Sequence, residues 1–214
     1  YIIFFLICFQ GFIGWYMVSS GLIENVDVSH FRLSIHLLIA FFIISLIYWN
    51  YLKITNYKII NQKINQYIPF FLLILIFCQI AIGAFVSGMD AGKIYNSWPL
   101  MGSSYFPDDN QFINLFELEV FSDPSLVQFV HRNLAYIIVL FYLFILMQIY
   151  KKKLSDLYFS IKLIGIILFI QIILGILTLL NGAQIILASM HQISSIFLVT
   201  SCIYFLFLNK NTNL

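Results

Sequence analysis

Three histidines, His36, His131 and His191, each occur near the start of a long apolar segment. An ionisable side chain inside a membrane span is costly, so by default it marks a functional site that faces the interior of a helix bundle. Neutral imidazoles from two helices can hold haem iron between them. Because we predict no carboxylate or thiolate at the same depth, the spacing favours haem over zinc.

The two arginines of the chain lie beside two of these histidines. Arg32 comes one helical turn before His36, and Arg132 directly follows His131. Both are predicted on the outer side of the membrane, against the usual preference of positive residues for the inner side. Charge-assisted pairing with haem propionates would explain both arginines, and contact with lipid headgroups would explain each one singly. We therefore take Arg32 and Arg132 as candidates for propionate binding.

Composition predicts an all-α integral membrane protein around these residues. The chain is 62% hydrophobic and 9% charged, which is too little charge for the surface of a soluble domain of this size. Six apolar runs are long enough to cross a membrane as helices, at roughly 20 residues per span. They cover residues 1–20, 29–49, 66–88, 125–150, 157–180 and 185–208.

The charged residues predict how the spans are oriented. The lysines of one side are Lys53, Lys58, Lys63, Lys151, Lys152, Lys153 and Lys210. The other side is acidic, with Lys93 as its only lysine, and carries Glu24, Asp27, Asp90, Asp108, Asp109, Glu117, Glu119 and Asp123. The positive-inside rule makes the lysine-rich side and the C-terminus cytoplasmic. The histidines then lie toward the outer side of the membrane. The net charge of +2 reflects this distribution of lysines and gives no indication of nucleic-acid binding.

Each histidine span belongs to a repeated unit. Each histidine span is preceded by an outward-running span in which a glutamine comes four residues before a glycine. The pairs are Gln10 and Gly14, Gln79 and Gly83, and Gln171 and Gly175. Residues four apart share a helix face, where the glycine lets two helices approach closely and the glutamine can be hydrogen-bonded. The second outer connection, residues 90–124, is long enough to form a lid or a binding surface.

In a bundle that pairs histidines between facing helices, three units leave one histidine without a partner. Since the chain begins inside a span, at Tyr1, we expect a further N-terminal unit and an intact bundle of eight helices in two halves. Sequential units tend to be neighbours, so we expect His131 to pair with His191, and His36 with a histidine before Tyr1. The expected division is 1–65 for the second half of an N-terminal bundle and 66–214 for a C-terminal bundle with its outer loop.

Five strings of residues resemble the haem A synthase family, in order and through nearly the whole chain. They are QGxxGWYMVxSG at 10–21, VSxFRLxxHL at 28–37, GAFVxGxDAG at 83–92 with YNxWPLM at 95–101, FVHR at 129–132 and HQ at 191–192. The outer loop has no cysteine pair, in which it is similar to the proteobacterial and mitochondrial branch of that family.

The resemblance implies an enzyme of eight helices in two pseudo-symmetric four-helix halves, which oxidises the C8 methyl group of haem O to the formyl group of haem A for terminal oxidases. It implies haem b between His131 and His191, relaying electrons, and the substrate haem on His36. The second histidine of the substrate site, with its glutamate, would lie in a helix preceding Tyr1. Residues 1–214 would then lack part of the active site.

The resemblance also implies a location and partners. The location is the inner membrane of a bacterium or a mitochondrion, with the C-terminus on the cytoplasmic or matrix side. The partners are haem O and the synthase that makes it, cytochrome oxidase assembly factors, an unidentified electron donor and membrane lipid.

Two other functions stay open at this point. A bis-histidine membrane cytochrome of the b type would share the composition and the histidine placement, and only the strings around His36 and in the outer loop favour the synthase. A transporter with histidine proton relays fits the repeat but leaves Arg32 and Arg132 unexplained. Haem content separates the transporter from the other two functions, and haem A formation separates the synthase from the cytochrome.

Overall fold

The computed structural model describes residues 1–21, 28–55 and 62–210. Its six long helices are α1 (Ile2–Gly21), α2 (His30–Ile54), α3 (Tyr67–Gly88), α4 (Pro124–Lys151), α5 (Tyr158–Leu180) and α6 (Ile185–Lys210). All six are long and apolar enough to cross a membrane, which confirms the predicted all-α membrane fold. Among the residues used to predict the orientation, Glu24, Asp27 and Lys58 lie outside the described ranges.

Local sequence explains where two of these helices begin and end. The Asp123 carboxylate accepts a hydrogen bond from the backbone N–H of Leu126 at 2.8 Å, and Pro124 occupies the first turn, so α4 has a well-formed N-terminus. Helix α2 continues to Ile54, further than the predicted 29–49, because no glycine or proline interrupts it. The positive charge of Lys53 in its last turn also complements the helix dipole.

Helices α3 to α6 form a closed ring. Helix α3 packs against α4 and α6, and α5 also packs against α4 and α6. Helices α4 and α6, which carry His131 and His191, therefore occupy diagonal corners. Helix α2 packs on the outside of the ring against α3 and α6, and α1 packs on α2.

Helix α6 is buried along its lysine-rich half and more exposed along the half that contains His191. In α6 no residue in 185–197 is buried, whereas most residues from Leu198 to Asn209 are. The side chains of Ile145, Ile149 and Ile161 are fully buried in the same dense half. His191 lies in the less buried half of α6.

The connection between α3 and α4 folds over the histidine end of the ring. It contains three short 3₁₀ turns, Ala91–Lys93, Phe112–Phe116 and Leu118–Phe121. The Asn96 amide donates to the carbonyl of Leu179 at 2.9 Å, and the indole N–H of Trp98 donates to the Tyr136 hydroxyl at 3.1 Å. These bonds attach the outer loop to α5 and α4.

Candidate functional site

In the first two repeat units, the glutamine side chain holds the histidine of the following helix. Gln10 Nε2 donates to the backbone carbonyl of His36 at 2.9 Å and lies 3.3 Å from Nε2 of its ring. Gln79 Nε2 makes the same contacts with His131, at 3.1 Å to the carbonyl and 3.2 Å to ring Nε2. Because a carbonyl only accepts hydrogen bonds, it is the amide nitrogen of each glutamine that faces the histidine.

This geometry identifies the ring nitrogen that can bind a metal. An amide nitrogen only donates, so Nε2 of His36 and of His131 presents a lone pair, and the ring hydrogen is on Nδ1. Nδ1 is buried in His36, His131 and His191, and in each case it lacks a hydrogen-bond partner among the described residues. The lone pair of the first two histidines is therefore on Nε2, where it accepts the N–H of the glutamine amide.

A glycine in each unit makes room for the imidazole. A methyl group added at Gly14 or at Gly83 would lie 3.1 Å from Cε1 of the histidine in the same unit, and one added at Gly175 would lie 3.2 Å from it. These distances are tighter than ordinary van der Waals contact, so a larger residue would displace the ring. The structure thus confirms that the glutamine and glycine mark a close, hydrogen-bonded helix contact. It adds that the contact is with the histidine itself, which sequence reasoning missed.

The third unit keeps the glycine but changes one hydrogen bond. Gln171 Nε2 donates to the backbone carbonyl of His191 at 3.1 Å, as in the other units. Its second contact is the hydroxyl oxygen of Ser194, at 2.9 Å. The Ser194 hydroxyl in turn donates to the His191 carbonyl at 3.0 Å. Within the described part of the chain, the side-chain amide of Gln171 makes no hydrogen bond to the imidazole of His191.

His131 and His191 belong to two helices of the same ring. Their helices, α4 and α6, stand at diagonal corners, and each packs against both α3 and α5. In residues 1–21, 28–55 and 62–210, no three His, Cys, Asp or Glu side chains converge as they would around a bound ion. The glycine cradle and the buried Nδ1 at each histidine are compatible with ligation of haem iron by imidazole.

Arg132 holds the outer loop over this region. Its Nη1 donates to the carbonyls of Ser97 at 3.0 Å and Leu100 at 3.2 Å, and its Nη2 donates to the carbonyl of Tyr95 at 3.0 Å. Gln128, one turn earlier in α4, donates to the same Tyr95 carbonyl at 3.1 Å. Sequence reasoning identified Arg132 but not these partners. The available signal was that Gln128 and Arg132 are four residues apart and share a helix face.

Two other basic residues near the start of α2, Arg32 and His30, pack against aromatic rings. The Arg32 guanidinium lies 5.1 Å from the centre of the Tyr16 ring, a cation–π contact that joins α2 to α1. His30 packs against Gly88 and meets the Phe85 ring edge-on, with ring centres 5.4 Å apart. Neither residue lies inside the α3–α6 ring.

Two carboxylates stabilise the outer loop. Asp109 accepts hydrogen bonds from the Tyr95 hydroxyl at 2.9 Å and the Ser125 hydroxyl at 2.6 Å. Asp108 accepts from the backbone N–H and the hydroxyl of Ser103, both at 3.0 Å, and the backbone bond is the main reason that the pKa of Asp108 lies below the usual 3.8. Burial raises the pKa of Asp109, but the hydrogen bonds from Ser125 and Tyr95 outweigh it, so its pKa is also lowered.

The fold and the site define a helical membrane protein with three Gln–Gly–His units, two of which share one four-helix ring. The chain matches the COX15-CtaA family, described as cytochrome oxidase assembly protein, over residues 1–203. It belongs to this family.

Several curated proteins are similar to nearly the whole chain. Heme A synthase of Pelagibacter ubique (strain HTCC1062) is 53% identical over 213 residues, which cover 100% of this chain and 62% of that protein. Heme A synthase of Rickettsia prowazekii (strain Madrid E) is 40% identical, over 97% of this chain and 62% of its own length. Heme A synthase of Rickettsia bellii (strain RML369-C) is 40% identical, over 99% of this chain and 64% of its own length. The chain thus spans 62% to 64% of the length of these relatives. No solved structure matches it.

Proposed function

We propose that the protein is a haem A synthase, which oxidises the C8 methyl group of haem O to the formyl group of haem A. The observation that carries this proposal is the repeated unit in which glutamine and glycine hold an imidazole in a fixed position. The relatives named Heme A synthase, which align with 97% to 100% of the chain, support the choice of reaction.

His131 and His191 would hold haem b through their imidazoles within the α3–α6 ring. When bound, haem b would supply a one-electron redox centre that relays electrons. The residues of the ring would position it: Gln79 and Gln171 fix the backbones of the two histidines through the bonds to their carbonyls. The outer loop, held by the guanidinium of Arg132, would keep water from the site.

His36 is proposed to bind the iron of the substrate haem in an N-terminal bundle. Its ring is held by Gln10 as His131 is held by Gln79, which supports the same ligand role. The proposed division of the chain is 1–65 for this bundle and 66–214 for the haem b bundle. The second histidine and the glutamate of the substrate site would come from a helix preceding Tyr1.

Arg132 and Arg32 are proposed to pair with haem propionates. The terminal nitrogens of Arg132 already donate to loop carbonyls, but its Nε is buried and has no partner among the described residues. Nε is thus the donor that Arg132 could offer to a carboxylate. Arg32 would keep its cation–π contact with Tyr16 and present the edge of its guanidinium group to a propionate.

The proposed location is the inner membrane of a bacterium or a mitochondrion, with the C-terminus on the cytoplasmic or matrix side and the histidines toward the outer side. The lysines at the other end of the bundle support this orientation through the positive-inside rule. Haem O would come from the enzyme that makes it, electrons from a separate donor, and haem A would pass to cytochrome oxidase assembly factors.

The test is haem A formation by the full-length protein in a host without its own synthase, measured by chromatography of extracted haems. We expect haem A with the parent protein and with the control His30→Ala, and none with His36→Ala, because His36 would hold the substrate haem. Haem b without haem A in the parent would contradict the synthase and identify a cytochrome of the b type. A protein without any haem would contradict both functions.

A further inference from the structure

The two histidines of the α3–α6 ring are held differently although they belong to equivalent units. The amide nitrogen of Gln79 lies 3.2 Å from Nε2 of His131, whereas that of Gln171 donates to the hydroxyl of Ser194. The cause can be read in the sequence. Ser194 comes three residues after His191 and shares its helix face, while the corresponding residue after His131 is Leu134, which cannot accept a hydrogen bond.

The difference determines whether the lone pair of the imidazole is occupied. A glutamine amide has two hydrogens to donate. In all three units one of them goes to the histidine carbonyl. The second goes to ring Nε2 in the first two units and to Ser194 in the third. An electrophile that binds imidazole must use that same lone pair.

We propose that Ser194 is a positioning residue that keeps the Gln171 amide away from Nε2 of His191. Nε2 of His191 is then not occupied by a glutamine amide, whereas His131 must first displace the Gln79 amide. This inference rests on the proposed function in one respect, namely that the two histidines bind one haem. His191 is accordingly the stronger iron ligand of the pair.

The hydrogen-bond assignment can be tested without haem. Diethyl pyrocarbonate acylates neutral imidazole through its lone pair, and peptide mass spectrometry of the full-length, haem-free protein gives the rate at each histidine. In Ser194→Ala the second hydrogen of the Gln171 amide becomes free to bond Nε2. We expect the rate at His191 to fall roughly three- to tenfold, as for one competing hydrogen bond, while the rate at His131 stays the same.

Two further variants distinguish positioning from a general disturbance of α6. Ser194→Thr retains the hydroxyl, so the rate at His191 should return to that of the parent. Gln79→Leu frees Nε2 of His131, so the rate there should rise by a similar factor. An unchanged rate at His191 in Ser194→Ala, including no reaction in either protein, would overturn the proposal.

Titration with ferric haem b separates this inference from the proposed function. Ser194→Ala should weaken haem binding by a factor similar to its effect on acylation, and Ser194→Thr should not. If the parent binds no haem although the acylation rates follow the expected pattern, the proposed function fails and the hydrogen-bond role of Ser194 stands. If haem binds but Ser194→Ala changes neither affinity nor acylation, the proposed function stands and the role of Ser194 is wrong.

Discussion

The α3–α6 ring and the α1–α2 pair contain the same histidine unit in different surroundings. Gln10 contacts His36 at 2.9 and 3.3 Å, and Gln79 contacts His131 at 3.1 and 3.2 Å. Yet α1 packs on α2 and has no buried residue between positions 1 and 19, whereas α3 is packed into the ring. The contact of two consecutive helices is therefore enough to form one unit. The ring places two such units, α3–α4 and α5–α6, side by side.

The largest effect that we expect within this comparison comes from filling the glycine position. Gly83→Val places a side chain where even a methyl group would be 3.1 Å from His131 Cε1. The neighbours of α3 in the ring cannot move freely, so the free energy of unfolding should fall by about 1–3 kcal/mol. Gly14→Val meets His36 at the same distance, but α1 can shift on α2, so its cost should be smaller.

Thermal unfolding of the purified protein in detergent measures both effects. The matched control is Cys78→Val, because Cys78 lies on the same helix as Gly83 and its side chain is exposed. This variant should unfold like the parent protein. Two results would contradict a tighter packing of the histidine unit within the ring. One is an equal loss of stability in Gly83→Val and Cys78→Val, and the other is a larger loss of stability in Gly14→Val than in Gly83→Val.

A smaller effect is expected from the outer loop, which covers the ring. The folded-state pKa of Asp109 lies below its ordinary value of 3.8, so its stabilising contribution is complete above about pH 4 and is lost as the pH falls through the lowered pKa. Loss of the bonds from Tyr95 and Ser125 should loosen the loop. Fluorescence of Trp98, in a protein with Trp15→Phe and Trp49→Phe, should therefore change below pH 3.8.

Asp109→Asn tests the origin of that transition. The amide carries no charge to lose, so we expect the amplitude of the acid transition to decrease in this variant. The parent and the variant should be compared in the same detergent and salt. An acid transition of unchanged amplitude would assign the pH dependence to another group.

The fold could be predicted from the sequence because a membrane imposes strong constraints. Hydropathy placed all six spans, and the repeat predicted that Gln79 and Gly83 lie at a close helix contact, although not that this contact is with His131. The partners of Arg132 could not be predicted, because they are loop carbonyls 32 to 37 positions away whose placement follows no period. The hydrogen bond from Gln171 to Ser194 was also missed. A single hydroxyl group determines whether the glutamine amide donates to the serine or to the imidazole.

The most direct test of the haem b site is the haem b content of the full-length protein and of its His131→Ala and His191→Ala variants, measured by the pyridine haemochrome spectrum. Each ligand variant should lose haem b, because one imidazole of the pair is removed, while His30→Ala should keep it. Normal haem b content in both His131→Ala and His191→Ala would contradict the pairing of these two histidines.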